Sequence, residues 1–597
     1  MPPKVKKATT PSETAEDTIP EITTSKLRKL VVRNFRCIGS SDVSIDLDDI
    51  VVLVGPNNAG KSTILRAYQA ITESSAPKLT IEDFHERKVD STALPTVELY
   101  TAGGDDLPGN RWVNKVDGEN IVRERWIWSA PEIAAKRQGW DVARNGWDDS
   151  FPWGPANIAK ARRPVPHRIE AFANPTTQIK EVTDLLLKVL QGRMKGRPVD
   201  ASGDSGVAER TVFGRLLDAL AQTQKTVVEE AKAEIEETEA QLSTFVSEVF
   251  IGYKVKFDAR PEDDLMNGLS FFKAGAELQM GPADGHLSSA ENQGSGARRT
   301  LMWAALRFIA ETESAKKADA GGSNLLLLDE PELCLHPNAI RECCSTLYKL
   351  PETKKWQVMV TTHAPAFIDL SKNNTTVVRV EREANGVVRG TTVFRPSEAK
   401  LDEEEKRELK LLNIFDPHVA EFFFGGRTIL VEGDTEYTAF KWIIANEADP
   451  ALFKDVHIVR ARGKVTIASL AKVLNQFGAR YSALHDSDLP VLAKSGNVNP
   501  AWTNNDRILD QIKVAADPTR VRLVALVPNF EMAMFGAGVD SEKPYNAYQT
   551  LQADADARTR VRELLLALID FSKELPPGAL HWSDLAVLHA KAVGDLP

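Results

Sequence analysis

Ile50-Val51-Val52-Leu53-Val54, running into Gly55-Pro56-Asn57-Asn58-Ala59-Gly60-Lys61-Ser62, is the stretch that decides the fold. An apolar run ends in a G-x-x-x-x-G-K-S loop, and Thr63 to Tyr68 continue in a helical pattern. Strand, glycine-rich loop and helix in that order make a phosphate cradle. The backbone N–H groups of such a loop surround phosphate oxygens at a helix N-terminus, Lys61 adds a point charge, and the Ser62 hydroxyl suits Mg²⁺. The cradle is expected from Gly55, Asn57, Asn58, Gly60, Lys61, Ser62 and Thr63. The alternative, a glycine-rich turn without a ligand, is disfavoured by the flanking strand and helix.

At 597 residues the chain exceeds a single core and implies several domains. Its 42% hydrophobic and 26% charged residues are those of an ordinary globular protein. No window approaches about eighteen consecutive apolar residues, so no transmembrane helix and no membrane partner are expected. The N-terminus lacks an apolar signal core, which points to a cytoplasmic location. Cys37, Cys334, Cys343 and Cys344 have no metal-site spacing and read as thiols. A net charge of −10 argues against a generic electrostatic grip on nucleic acid. It leaves open an enzyme whose carboxylates hold cations.

Residues 1–26 are rich in Pro, Thr, Lys and Glu and read as a disordered tail. From Leu27 an alternating strand and a second strand, Val43 to Leu47, precede the phosphate loop. This opening resembles the ABC-type ATPases of the SMC and RecF kind. Residues 95 to 175 read as irregular, with strands at Val97 to Tyr100 and Arg168 to Ala173. Six tryptophans (Trp112, Trp126, Trp128, Trp140, Trp147, Trp153) lie there among arginines and lysines. A small satellite core is the preferred reading over a surface that stacks single-stranded bases. Residues 176–250 turn helical, with Val228, Ala231, Ile235, Thr238, Leu242 and Phe245 at seam spacing. That suits a protruding or dimerising arm; a plain intradomain helix is the runner-up.

Three further motifs follow in the order this ATPase class requires. Ser295 and Gly296, in Asn292-Gln293-Gly294-Ser295-Gly296-Ala297-Arg298, open a helix. In ABC ATPases such an element reaches the γ-phosphate on the other subunit, although L-S-G-G-Q is its usual form. Leu325 to Leu328 read as a buried parallel strand ending in Asp329-Glu330. Asp329 would hold Mg²⁺ through water and Glu330 would polarise the attacking water. Leu335-His336-Pro337 matches a dimer contact in RecF-like ATPases. Val358 to Thr362 lead to His363, which matches the switch histidine that senses the γ-phosphate.

After an acidic link, Arg427 to Val431 end in Glu432-Gly433-Asp434-Thr435-Glu436, and Ile458-Val459 lead to Arg462-Gly463-Lys464. Tyr481 to His485 end in Asp486-Ser487-Asp488, and Val521 to Val527 run into Pro528-Asn529-Phe530-Glu531. Strand-then-acid units in this series have the layout of a TOPRIM domain. Carboxylates at the ends of neighbouring parallel strands converge on one crevice and repel each other unless divalent cations bind. Glu432, Asp486, Asp488 and Glu531 are the expected set for Mg²⁺ or Mn²⁺, with Asp486 and Asp488 pointing the same way on extended chain.

An ABC-type ATPase with a C-terminal TOPRIM domain resembles the OLD (overcoming lysogenization defect) family of ATP-dependent nucleases, which includes the nuclease subunit of the Gabija anti-phage system. The resemblance implies an α/β fold: an ABC/SMC-like ATPase with an inserted helical arm, then a TOPRIM domain. The expected divisions are 27–175 and 251–396 for the ATPase halves, 176–250 for the insertion, 397–424 for a linker and 425–597 for the nuclease. It further implies ATP and Mg²⁺ or Mn²⁺ as cofactors, DNA as substrate, a homo-oligomer, antiviral defence, and a helicase partner where the system is Gabija-like. A family lysine that assists catalysis is matched by Lys543, with Lys573 as fallback. The competing reading is a RecF/SMC-like ATP-gated DNA clamp whose TOPRIM fold is structural.

Overall fold

The computed structural model describes residues 25–169, 232–258, 277–314 and 323–594, apart from a few short interruptions, with isolated positions between 179 and 226. Residues 1–24 of the expected tail, Val228, Ala231, Cys334 and most of the expected arm lie outside the described residues, while Lys26, placed in the tail, already opens the strand Lys26–Arg33.

The apolar run Ile50–Val54 is buried along its whole length, because it lies inside a six-stranded sheet. The order is Val388–Phe394, Thr375–Arg382, Ile50–Val54, Trp356–Thr361, Asn324–Asp329 and Val165–Ile169. All neighbours run parallel except the Val388–Phe394 edge. Covered on both faces, such strands read as continuous Val/Leu runs. The edge strand Val165–Ile169 starts three residues before the expected Arg168, and 170–173 lie outside the described residues. It carries Pro166, and an edge tolerates proline's missing N–H.

The interval read as irregular is instead largely antiparallel sheet. Lys26–Arg33, Thr96–Ala102, Glu119–Ile127, Lys136–Asp141 and Gly146–Asp148 are consecutive neighbours, with Val43–Asp46 on one edge and Val113–Val116 paired to Glu119–Ile127. The alternation of Glu119–Ile127 was hidden because one inward residue is Glu124. It is 1% exposed and accepts hydrogen bonds from Arg163 Nε (2.9 Å) and Arg137 Nε (2.7 Å). Burial opposes its ionisation, but the two guanidiniums hold its carboxyl below the usual range. Removing one partner of a buried pair leaves the others uncompensated. Glu124→Gln is therefore expected to destabilise the ATPase half by about 3 kcal/mol, read as the lost midpoint in urea unfolding followed by tryptophan fluorescence. A loss under about 1 kcal/mol, the range of an exposed pair, would contradict the buried network.

Trp126 and Trp128 pack in the same core as Leu53 and Ile64. On the other face Trp140 and Trp147 meet edge to face at 5.2 Å, with Arg123 over Trp140 (4.0 Å) and Arg125 over Trp147 (4.4 Å). The region's cations are thus largely taken up by its own indoles.

The described part of the expected arm, helix 232–247, buries Thr238, Leu242 and Val246. Leu242 and Val246 belong to the ATPase core with Leu278, Met280 and Leu301. Four-residue spacing here marks an intradomain face, as the runner-up reading has it. The 397–424 segment is likewise packed and not a free linker. It forms the helix Glu403–Phe415 and the 3₁₀ stretch Pro417–Phe424, burying Phe422 and Phe423 in a core that continues from Phe394 to Leu430 and Ala483.

The last sheet orders Val456–Arg460, Arg427–Val431, Tyr481–Asp486, Val521–Leu526 and Ala579–His581, parallel except for the final strand. Alternate residues point to opposite faces. Ile429 and Val431 meet Phe440, Leu564 and Leu565 on one face; Leu430 and Ala483 meet Leu470, Ile508 and the core shared with the ATPase on the other.

Candidate nucleotide and carboxylate sites

The phosphate loop is built by backbone geometry that side chains would spoil. Gly55 has φ +134°, and a Cβ there would lie 2.0 Å from the Val380 carbonyl oxygen. Gly60 has φ +111° and caps the helix Lys61–Thr72. Asn58 also takes a left-handed φ of 60°. Lys61 is 5% exposed and donates to the carbonyls of Gly55 (2.9 Å) and Pro56 (3.0 Å). Its Nζ lies 2.8 Å from His363 Nε2. Burial lowers the Lys61 pKa against the pull of Glu330, Asp329 and Glu332; burial and then Lys61 lower that of His363. A neutral His363 accepting from Lys61 satisfies both.

Ser62 Oγ donates to Asp329 Oδ1 at 2.8 Å, and Thr361 Oγ1 donates to the same oxygen at 2.6 Å. Glu330 has φ 45°; its N–H bonds Thr361 Oγ1 (3.1 Å), and its carbonyl accepts from buried Arg299 (3.1 Å). Its carboxylate lies 3.4 Å from His363 Nε2. Glu332, not anticipated as a site residue, accepts from the His363 N–H (2.7 Å) and Thr362 Oγ1 (2.8 Å). The structure thus brings Lys61, Ser62, Asp329, Glu330 and His363 together. Ser295 and Gly296 start the helix Ser295–Ser314, with Ser295 exposed and without a hydrogen bond to the phosphate loop among the described residues. A cavity of about 710 Å³ near the loop is lined by Arg36, Cys37, Phe84, His85, Arg87 and Arg382.

The second site lies at the C-terminal ends of the parallel strands in the last sheet. Glu432 follows one strand and accepts the Asp486 N–H at 3.1 Å. Asp486 ends the next and accepts the Phe530 N–H at 2.9 Å. Glu531, 3% exposed, sits in the helix Phe530–Phe535 and accepts from Thr435 Oγ1 (3.4 Å), with Lys543 Nζ at 3.2 Å. Glu436 was missed at the sequence level. It is 4% exposed in the helix Asp434–Ala445, where its carboxylate accepts the N–H of the N-cap residue Gly433 (3.1 Å). The E-x-x-x-E spacing was a legible signal, since the second acid falls one helical turn on.

Burial, then mutual repulsion with its neighbours, pushes Glu436 up to about 7 and Asp486 well above the carboxylate range; burial also raises Glu432. The stability held while Glu436 is protonated is complete below its ordinary 4.5 and is lost as pH rises through about 7. The thermal midpoint of metal-free protein should therefore fall between pH 5 and pH 8, and Glu436→Gln should flatten that fall. An unchanged slope in the variant would place the titration elsewhere.

Asp488 does not point with Asp486. Its φ of 57° breaks the extended chain, and its carboxylate turns to Lys464 Nζ at 2.5 Å. Lys464 is 4% exposed and also donates to the Ala501 carbonyl (3.3 Å). It too was not singled out as a site residue, although it follows Gly463 at a strand-to-helix turn. Among the described residues no three His, Cys, Asp or Glu side chains stand ready as a closed metal-ligand set. The donor chemistry nonetheless fits a cation, because several buried carboxylates raise one another's pKa. Lys573 lies at the other end of the sheet, its carbonyl accepting from Arg522 near the start of the Val521–Leu526 strand (3.1 Å).

The two sites lie in one packed chain. Phe424 stacks on His363 with ring centroids 6.5 Å apart, and the strand leading to Glu432 starts three residues later.

A phosphate-loop ATPase joined to a TOPRIM domain is the class this architecture defines. A family model described as an AAA ATPase domain matches residues 26–101 and 186–368. Another, described as the TOPRIM domain of overcoming lysogenization defect protein-like chains, matches residues 423–488. An OLD nuclease of Thermus scotoductus is 23% identical over 545 residues, 88% of this chain and 95% of that one. The Old nuclease of Escherichia phage P2 is 27% identical over 201 residues, and the matched part is 33% of each chain. The chain is thus similar to OLD nucleases along most of its length, with an ATPase and an OLD-like TOPRIM domain in the same order. A solved SMC head bound to the C-winged helix domain of ScpA overlaps 62% of this chain and 99% of that one at 16% identity, with a TM-score of 0.39. Among the described residues no helix is long and apolar enough to cross a membrane.

Proposed function

We propose that this chain is a divalent-metal-dependent DNA endonuclease gated by ATP, acting in anti-phage defence. One observation carries the reading: Glu432, Glu436, Asp486 and Glu531 gather at the strand ends of a TOPRIM domain, although burial and repulsion raise the pKa of three of them. Stability alone disfavours such a cluster, and cation binding favours it. Mg²⁺ or Mn²⁺ bound by Glu432, Asp486 and Glu531, with Asp488 and Glu436 beside them, would supply Lewis-acid polarisation of a phosphodiester and activation of water.

The protein's own groups do the positioning. The N–H groups of Asp486 and Phe530 hold Glu432 and Asp486, Lys464 fixes Asp488, and half-exposed Lys543 offers a charge to the scissile phosphate. At the other site Lys61 and the loop from Gly55 to Thr63 hold the triphosphate, and Ser62 and Asp329 suit its Mg²⁺. Glu330 orients water, and His363 reports the γ-phosphate. Exposed Ser295, with half-buried Gly296 beside it, is available to a second copy, which favours a homo-oligomer.

Supercoiled plasmid incubated with the purified chain tests this. Nicked and linear products are expected with Mg²⁺ or Mn²⁺ and not with chelator, at a rate that ATP changes. ATP-dependent retention of DNA with no strand breakage under any metal would establish the clamp reading instead. Cells expressing the chain should show reduced phage plating; unaltered plating would remove the defence role alone.

A further inference from the structure

Among the described residues, seventeen large apolar side chains are exposed, and seven of them fall just after three residues of the carboxylate site. Leu489 (43% exposed), Val491 (50%), Leu492 (41%) and Val498 (64%) follow Asp488. Met532 follows Glu531, and Tyr545 (58%) and Tyr548 (39%) follow Lys543. Scattered single apolar residues need no explanation, but a patch does.

The two larger groups form two walls. The described residues flanking 493–495 form a finger: Val491 and Val498 make an isolated antiparallel bridge, and Leu492 N–H bonds the Asn497 carbonyl at 2.9 Å. The Asn499 side chain closes the finger on the Leu489 carbonyl (2.9 Å) and caps the helix Pro500–Lys513. On the other side, the helix Lys543–Ala553 presents both tyrosines, and each hydroxyl accepts from the glutamine one turn later, Gln549 (3.0 Å) and Gln552 (2.8 Å). Ile508 and Leu509, beyond the finger, pack on one face of the sheet; Leu551, on the tyrosine helix, packs on the other. The carboxylates therefore lie between an apolar finger and a tyrosine-bearing helix.

We infer that this edge of the sheet takes nucleic acid with unpaired bases, the finger and the tyrosine helix receiving base faces on either side of the phosphate held at the carboxylates. The inference rests on the nuclease reading. Val491 is three residues past Asp488, at most about 11 Å along extended chain, or roughly three nucleotide steps of ~3.4 Å. Bases next to a phosphate over Asp486 thus come within reach of the walls. A closed duplex would offer those walls charged backbone, whereas unpaired bases offer ring faces, and aromatic stacking on such faces is sequence-tolerant. The pinned tyrosine rings lose little freedom on stacking.

The test uses the full chain with Ca²⁺, so that binding is read apart from cleavage. Oligonucleotide duplexes of one sequence are compared with and without a short central unpaired stretch. Wild type is expected to prefer the opened substrate by roughly tenfold, the value of one or two stacked bases. Val491→Ser with Val498→Ser, and separately Tyr545→Ser with Tyr548→Ser, should each lose most of that preference, whereas Tyr545→Phe with Tyr548→Phe retains it. Thermal midpoints check folding. Equal binding of both substrates by wild type, or an unaltered preference in both serine variants, overturns the inference. So does a change in sedimentation with unaltered preference, which would make the walls a contact between copies. A retained preference without cleavage under Mg²⁺ or Mn²⁺ would sink the nuclease reading and leave the substrate class standing.

Discussion

Asp486→Asn is expected to lower metal-dependent DNA cleavage by about a thousandfold or more, leaving ATP hydrolysis within about twofold of wild type. The substitution is nearly isosteric. An Asn carbonyl oxygen can still accept the Phe530 N–H that Asp486 accepts at 2.9 Å, so the strand-to-helix turn carrying Glu531 survives. What disappears is a charge that burial and the neighbouring Glu436, Glu432 and Glu531 already penalise. Removing it should make the metal-free protein more stable, because the remaining carboxylates repel less. Lost cleavage with a raised thermal midpoint is the joint signature of carboxylates kept for chemistry. Initial nicking rates, phosphate release from ATP and a thermal melt measure all three. Cleavage within tenfold of wild type would remove Asp486 from the reaction.

Legibility in the sequence followed how local each feature is. The phosphate loop, the Asp329-Glu330 strand end and the TOPRIM strand–acid units each sit within a dozen residues, so spacing alone reveals them. The antiparallel sheet between Thr96 and Asp148 was obscured because Glu124 occupies an inward position, and only distant Arg163 and nearby Arg137 make that tolerable. Helix 232–247 showed a seam but not what the seam faces; Leu278 and Met280, which share its core, come from another part of the chain. Asp486 and Asp488 looked parallel because alternation assumes extended chain, and the left-handed φ at Asp488 breaks it. Lys464 had a glycine before it and no motif to name it. Its role appears only once the turn between strand and helix lies beside Asp488.

Glu330→Gln is expected to reduce ATP hydrolysis by about a hundredfold to a thousandfold, the share of a positioned general base, with nucleotide binding preserved. The backbone around it is held independently of the carboxylate. Arg299 bonds the Glu330 carbonyl and Thr361 Oγ1 accepts its N–H, so the amide side chain can occupy the same place. Lys61→Ala should instead lose binding, because Lys61 is the buried cation of the loop. The pair separates a nucleotide-filled state from an empty one. His363, 2.8 Å from Lys61 and 3.4 Å from Glu330, stacks on Phe424 just before the strand that ends at Glu432. A change at the phosphates therefore has a packed path to the carboxylates through one continuous core. Plasmid nicking should shift in opposite directions in the two variants, and Glu330→Gln with ATP should match wild type with a non-hydrolysable analogue. Identical nicking in wild type and both variants would mean that the two sites share a chain without sharing a state.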